Sequence, residues 1–164
     1  MPKQNKQTLK SCAGALAILL FLILLTLAPF AGYTHDGAQG NVAARMSAMK
    51  MMGKAVKSLA LMFRKSEPFD RAAVKFNALA IGSHGGTALL ELFPKGSRSE
   101  VSEAKPEIWQ DWNSFAEEAM RLSESAADLA KAVDDGKSKS ESRKIFESLT
   151  RSCSACHKAF RQKQ

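Results

Sequence analysis

From residue 41 onward, apolar residues recur at steps of three and four, the spacing of one face of a helix, in four runs separated by short polar, glycine- or proline-bearing links. The first predicted helix covers about 41–64, with Val42, Met46, Met49, Gly53, Val56, Ala60 and Phe63 as its seam. Ser66-Glu67-Pro68 ends it. Asp70 is a good N-cap for a second helix that turns Ala73, Phe76 and Ala80 inward. Gly82, Gly85 and Gly86 then loosen the chain, and 87–93 resumes as a helical turn before Pro94-Lys95-Gly96-Ser97 breaks it. The third helix is the longest. Pro106 suits its first turn, where a missing N–H costs nothing, and Ile108, Trp112, Phe115, Ala119, Leu122, Ala126, Leu129 and Val133 follow in unbroken alternation of four and three. Gly136 closes it. The fourth helix begins near Ser138 or Ser140 and aligns Phe146, Leu149, Cys153, Cys156 and Phe160 on one face. With no convincing strand and no internal repeat, the economical architecture is all-α, an antiparallel four-helix bundle in which a cofactor would sit between facing helices.

Ahead of the bundle lies a different kind of segment. Lys3, Lys6 and Lys10 precede a stretch from residue 11 to 34 without a single charge, and 15–27 is nearly all Leu, Ile, Ala and Phe. Residues 1–34 therefore read as a signal peptide or an N-terminal membrane anchor. Residues 28–32 offer no clean A-x-A cleavage site, so a retained tether is a live option, and the positive flank would send the rest of the chain across the membrane. Residues 40–164 form the functional domain. Three of the chain's 24 Lys and Arg residues lie in the leader; the other 21 face 16 Asp and Glu, leaving +5 after the leader. These cations are spread along the chain without interleaved base-stacking aromatics, so a nucleic-acid partner is not expected. A cationic surface could meet an acidic redox partner, although a solvated exterior is the blander explanation.

The chemistry is concentrated near the C-terminus. Cys153-Ser154-Ala155-Cys156-His157 is a C-x-x-C-H run, the spacing of c-type haem attachment. On a helix these three side chains lie at i, i+3 and i+4, so one face offers two thiols to the vinyl groups of a haem and an imidazole to its iron. A dithiol redox motif would expect a βαβ setting, and a zinc site needs four ligands. The only other cysteine, Cys12, lies in the leader, and His35 and His84 have no ligand-like spacing to the run. One covalently attached haem c is the expected cofactor, and the export signal fits it.

The chain resembles the class II c-type cytochromes, cytochrome c′ and its low-spin c-556 relatives. The resemblance rests on Arg45-Met46-Ser47-Ala48-Met49-Lys50, on Lys105-Pro106-Glu107-Ile108-Trp109 with Ser114-Phe115, and above all on Cys153 to Arg161, where C-x-x-C-H is followed by Phe160 and Arg161 close to the end of the chain. It implies that His157 is the proximal axial ligand and that Arg161 lies beside that imidazole. It further implies that Met49 faces the opposite side of the iron and that Arg45 lies near a haem propionate. Family members often dimerise through the first two helices, and exposed Met and Leu positions on the first helix allow a homodimer here.

Met49 then decides between two functions. A bound Met49 sulfur gives His/Met ligation, a raised potential and a periplasmic electron carrier, the leading expectation. If Met49 only packs, the iron is five-coordinate and admits NO or CO. Partners are accordingly redox proteins or small gases. Met is also an ordinary gap-filler, and Met52, one turn on, is the nearest rival for the pocket, ahead of Met46 and Met51. Trp112 and Phe115 are expected against the macrocycle with Phe160, and Trp109 at the bundle edge. Glu117-Glu118 and Asp134-Asp135 read as solvated charge. No nucleophile has a base beside it, so the chain is not read as an enzyme.

Overall fold

The computed structural model describes residues 38–64 and 67–162. The predicted leader, 1–34, lies outside the described residues. Six helices form among those described: α1 (Gly40–Met62), α2 (Arg71–Gly82), α3 (Gly86–Leu90), α4 (Glu107–Gln110), α5 (Trp112–Asp134) and α6 (Lys139–Phe160). The four long ones make a four-helix bundle. None of the described helices is long and apolar enough to cross a membrane.

Local chemistry sets the helix ends. The Asp70 carboxylate accepts from the Ala73 N–H at 3.0 Å and starts α2; Asp111 accepts from Ser114 N–H at 3.3 Å and starts α5. Ser138 and Glu141 form a reciprocal capping box at the start of α6. Gly136, at φ 75°, ends α5: its N–H reaches the Val133 carbonyl and that of Lys137 reaches Ala132, which satisfies two carbonyls the helix would otherwise leave open.

The bundle has two apolar clusters. One joins α1, α2, α5 and α6 through Leu59, Val74, Ile81, Leu129 and Leu149, all fully buried, with the Phe63 ring stacked on Phe146 at 5.1 Å. Each of these large side chains stabilises the fold by roughly 1.5–3 kcal/mol. The other is aromatic, with Phe115 at its centre, 4.8 Å from the Phe93 ring and 5.4 Å from that of Phe160. Met49 packs against both.

Four sequence expectations about the helices and their links change. Val42 and Phe63 of the expected seam are buried, but the rest of the buried face of α1 is Arg45, Ala48, Met52, Ala55 and Leu59, while Met46, Met49, Gly53 and Val56 of the seam line a cavity. In α2 the inward residues are Val74, Ala78 and Ile81, whereas Phe76 is 74 % exposed, with nothing among the described residues covering it. The long third helix is broken at Asp111 (φ −123°, ψ 61°), which leaves α4 as a separate turn. The glycines after α2 do not loosen the chain. A Cβ on Gly85 would come within 3.3 Å of the Ser123 backbone nitrogen, so this residue brings the α2–α3 turn tight against α5.

Candidate functional site

α6 carries Cys153, Cys156 and His157 on a half-buried face, and all three line one cavity of about 720 Å³. This is a volume suited to a cofactor. Cys153 packs against the first apolar cluster and Cys156 against the second, so the two sulfurs stand where the clusters meet. Burial raises both thiols, Cys156 to about 11 with help from the charges of Glu118 and Cys153. Neutral, desolvated thiols of this kind are unlike the exposed, low-pKa cysteines of dithiol redox motifs. Burial, together with the Arg161 charge, pushes the His157 imidazole below its ordinary value, which keeps it neutral and able to donate a lone pair to a metal. No cluster of three or more His, Cys, Asp or Glu side chains suited to holding a metal ion forms among the described residues.

Most of the remaining wall is apolar. Met46, Met49, Met52 and Val56 come from α1, Leu89 and Phe93 from the α3 region, and Phe115, Ala119 and Leu122 from α5; Phe160 and Arg161 complete the α6 side. Trp112, expected against the macrocycle, is not part of this wall. The break at Asp111 leaves it 38 % exposed, covering the outer side of Phe115 at 5.7 Å. Trp109 lies at the edge, donating from its ring N–H to the Phe93 and Pro94 carbonyls, both at 3.1 Å.

Arg45 is the most constrained polar group here. Only 4 % exposed, it donates from Nε to the Leu92 carbonyl and from Nη2 to the Ser97 carbonyl, both at 2.7 Å, and to the Ser97 hydroxyl. Its guanidinium lies over the Phe93 ring, 4.3 Å from the centroid. These bonds hold the segment after α3 against α1. The remaining Nη1 is buried without a partner, and the residue lines the cavity, so an anionic oxygen brought to Nη1 would satisfy it. At the other end, Arg161 pairs with Glu103, which the hydrogen bond from Arg161 holds below the usual carboxylate range. The Lys105 N–H bonds to the Phe160 carbonyl at 2.9 Å and the Gln162 N–H to Glu103 at 2.8 Å, fastening this segment to the end of α6.

Sequence reasoning missed Glu118. Instead of a solvated charge it is a cavity-wall carboxylate whose Oε2 is buried and unpartnered, while Oε1 meets Arg121 at 3.3 Å. Its position one turn after Phe115 and four residues before Leu122 was the available signal, because both neighbours face inward. A negative charge on this wall favours the oxidised state of a redox centre. Glu118→Gln is therefore expected to raise the midpoint potential of the loaded protein by on the order of 50 mV, read by spectroelectrochemistry.

The donor set fits a haem: two neutral thiols and an imidazole on one helix face, apolar walls and an unpartnered guanidinium N–H at the margin. A helical bundle with such a site is the architecture of a haem protein that holds its cofactor near the C-terminal helix. The sequence model of the Cytochrome C′ family matches residues 40–161, and the chain belongs to that family. Covalently attached haem c is the cofactor of this family and of this chain. The cytochrome c-556 of Agrobacterium fabrum is 33 % identical over 128 residues, covering 77 % of this chain and 84 % of that protein. The cytochrome c′ of Alcaligenes xylosoxydans is 28 % identical, covering 73 % of this chain and 91 % of its own. Among solved structures, cytochrome c′ from Rhodopseudomonas palustris superposes with a TM-score of 0.69 at 27 % identity, covering 77 % of this chain and 99 % of that one. A nitric oxide complex of a variant of the Alcaligenes xylosoxidans protein does so at 0.67 and 28 %, covering 75 % and 94 %.

Proposed function

We propose that this protein is a haem c protein of the periplasm that binds NO or CO at an open axial position of its iron. Proteins of this family are periplasmic, and residues 1–34, as signal or anchor, supply the export this requires. Cys153 and Cys156 would form the two thioether bonds, and His157 would hold the iron from the α6 side. Arg45 would meet a propionate with its free Nη1, and Arg161, kept in place by Glu103, would border the imidazole. When bound, the haem supplies a one-electron iron centre with one axial position left for a small ligand. The chain's part is to fix it, exclude water with Phe115, Leu122 and Val56, and bound that open position with side chains of α1.

The α1 wall offers no imidazole or carboxylate, so only a thioether could compete for the open position. The observation that favours gas binding is that two variants of one relative with the same fold form nitric oxide complexes. The second reading, an electron carrier with His/Met ligation, keeps one specific support: Met49 lines the same cavity and carries the soft sulfur such ligation needs. A Met49→Leu substitution separates them. Gas binding predicts that the ferric spectrum barely changes and that the unsubstituted ferrous protein takes CO on mixing. A far-red thioether-to-iron band in the unsubstituted protein, lost in Met49→Leu, would establish the carrier instead.

A further inference from the structure

Glycine weakens the inside of a helix, because it gives up more backbone freedom on folding than any other residue. Of the glycines in the described helices, Gly40, Gly82 and Gly86 stand at helix ends, and only Gly53 lies in an interior. The usual reasons for a glycine are missing there. Its φ lies outside the left-handed region, so any residue fits the backbone. A Cβ on Gly53 would meet nothing within 4 Å, its own helix backbone and chain neighbours apart. Unlike Gly85, it is not required by a close approach.

Gly53 does stand at the mouth of the cavity. Residues that both line the cavity and are exposed mark that mouth: Met46, Lys50 and Gly53 on α1, Val101 between α3 and α4, and Ser154 and Arg161 on the α6 side. The three on α1 lie at i, i+4 and i+7, along one stripe of the helix. Two of them carry long side chains, and the third carries none. Met49, Met52 and Val56 adjoin Gly53 on the same helix, line the same cavity and are less exposed. The gap at Gly53 therefore opens onto apolar surface and leads to Met49, which borders the open axial position in the gas-binding reading. A charged or strongly hydrated ligand would lose its water on that route without replacement.

We infer that Gly53 is the port by which small uncharged ligands enter the haem cavity, and that its missing side chain sets the size admitted. The inference rests on the gas-binding reading and adds the route and the selection to it. Bulk placed at a port raises the barrier to passage in both directions and leaves the bound state as it was. Association and dissociation then slow together, and affinity is preserved.

The test uses the matured ferrous holoprotein and CO, followed by flash photolysis and stopped flow. Gly53→Leu should slow CO association and dissociation by about tenfold each, with the affinity and the Soret spectrum unchanged. Methyl isocyanide, a bulkier neutral ligand, should be slowed more than CO. Ala60→Leu is the control, seven residues further along α1, exposed and outside the cavity wall; it should stay within about twofold. Gly53→Ala should slow CO by about two- to threefold. Because space for its methyl group is open, the same variant should also raise the urea midpoint, a readout that needs no ligand and serves if Gly53→Leu does not fold. Unchanged CO association in Gly53→Leu, equal slowing by Ala60→Leu, or a lowered urea midpoint in Gly53→Ala would overturn the inference. So would lost affinity at an unchanged association rate, which makes Gly53 part of the ligand site itself. Equal slowing of CO and methyl isocyanide would remove the size selection. A changed oligomeric state of Gly53→Leu with unaltered CO kinetics would assign the glycine to a contact between two chains. Failure of the underlying reading is visible separately, in unsubstituted ferrous protein that takes no CO.

Discussion

Changing both Cys153 and Cys156 to Ser should give a protein from which acid–acetone removes every trace of haem, whereas the unsubstituted protein keeps all of it. The two sulfurs stand where the two apolar clusters meet, on the same helix face as His157. Without them only the imidazole and packing would retain the cofactor. The loss extends to the fold. A cavity of about 720 Å³ left without its bonded occupant removes contacts from every helix that lines it. Far-UV circular dichroism during heating should then show an earlier and broader transition than in the holoprotein. A single Cys156→Ser change should retain haem through one thioether, which distinguishes loss of attachment from general misfolding.

The second large effect is expected at Arg45. Its Nε and Nη2 satisfy the Leu92 and Ser97 carbonyls, and its plane covers Phe93. Arg45→Leu would leave those carbonyls without their charged donor and release the segment between α3 and α4. A loss of about 3 kcal/mol is expected in urea unfolding of the holoprotein. Arg45→Lys keeps the charge but cannot serve both carbonyls and the ring in one geometry, so it should recover only part of the loss. A near-neutral Arg45→Leu would mean that the segment is held by Trp109 and the bonds to α6 alone.

Much of this architecture is legible in the residues because the relevant signals are local. The caps at Asp70 and Ser138, the stop at Gly136 and the apolar spacing of α5 and α6 need only the nearest turn of chain. The C-x-x-C-H run is legible for the same reason, since helical spacing alone puts both thiols and the imidazole on one face. What the pattern hides is non-local. The buried stripe of α1 contains Arg45, a residue that hydrophobic periodicity rejects, and its partners lie 47 and 52 residues further along the chain. The stripe that does read as apolar, Met46 to Val56, lines a cofactor cavity as well as packing, through Met49 and Val56, on core side chains, and periodicity cannot tell one from the other.

The same limit explains the remaining differences. Phe76 is large and apolar yet exposed, because the smaller stripe of Val74, Ala78 and Ile81 lets α2 approach α5 closely. Trp112 leaves the cavity wall because Asp111 spends a residue on capping, a break that unbroken apolar spacing conceals. Glu118 is hidden by its neighbour. The pair Glu117-Glu118 looks like surface charge, and only the phase set by Phe115 and Leu122 turns one of the two inward.

The most direct measurement of the central claim is the mass of one tryptic peptide from protein matured in the periplasm. Cleavage after Arg151 and Lys158 releases Ser152–Lys158, which contains both thiols and His157. The account predicts this peptide only at its own mass plus one haem, with the absorption of a c-type haem. The same peptide from mature protein at its unmodified mass, or short by the two hydrogens of a disulfide, would contradict it.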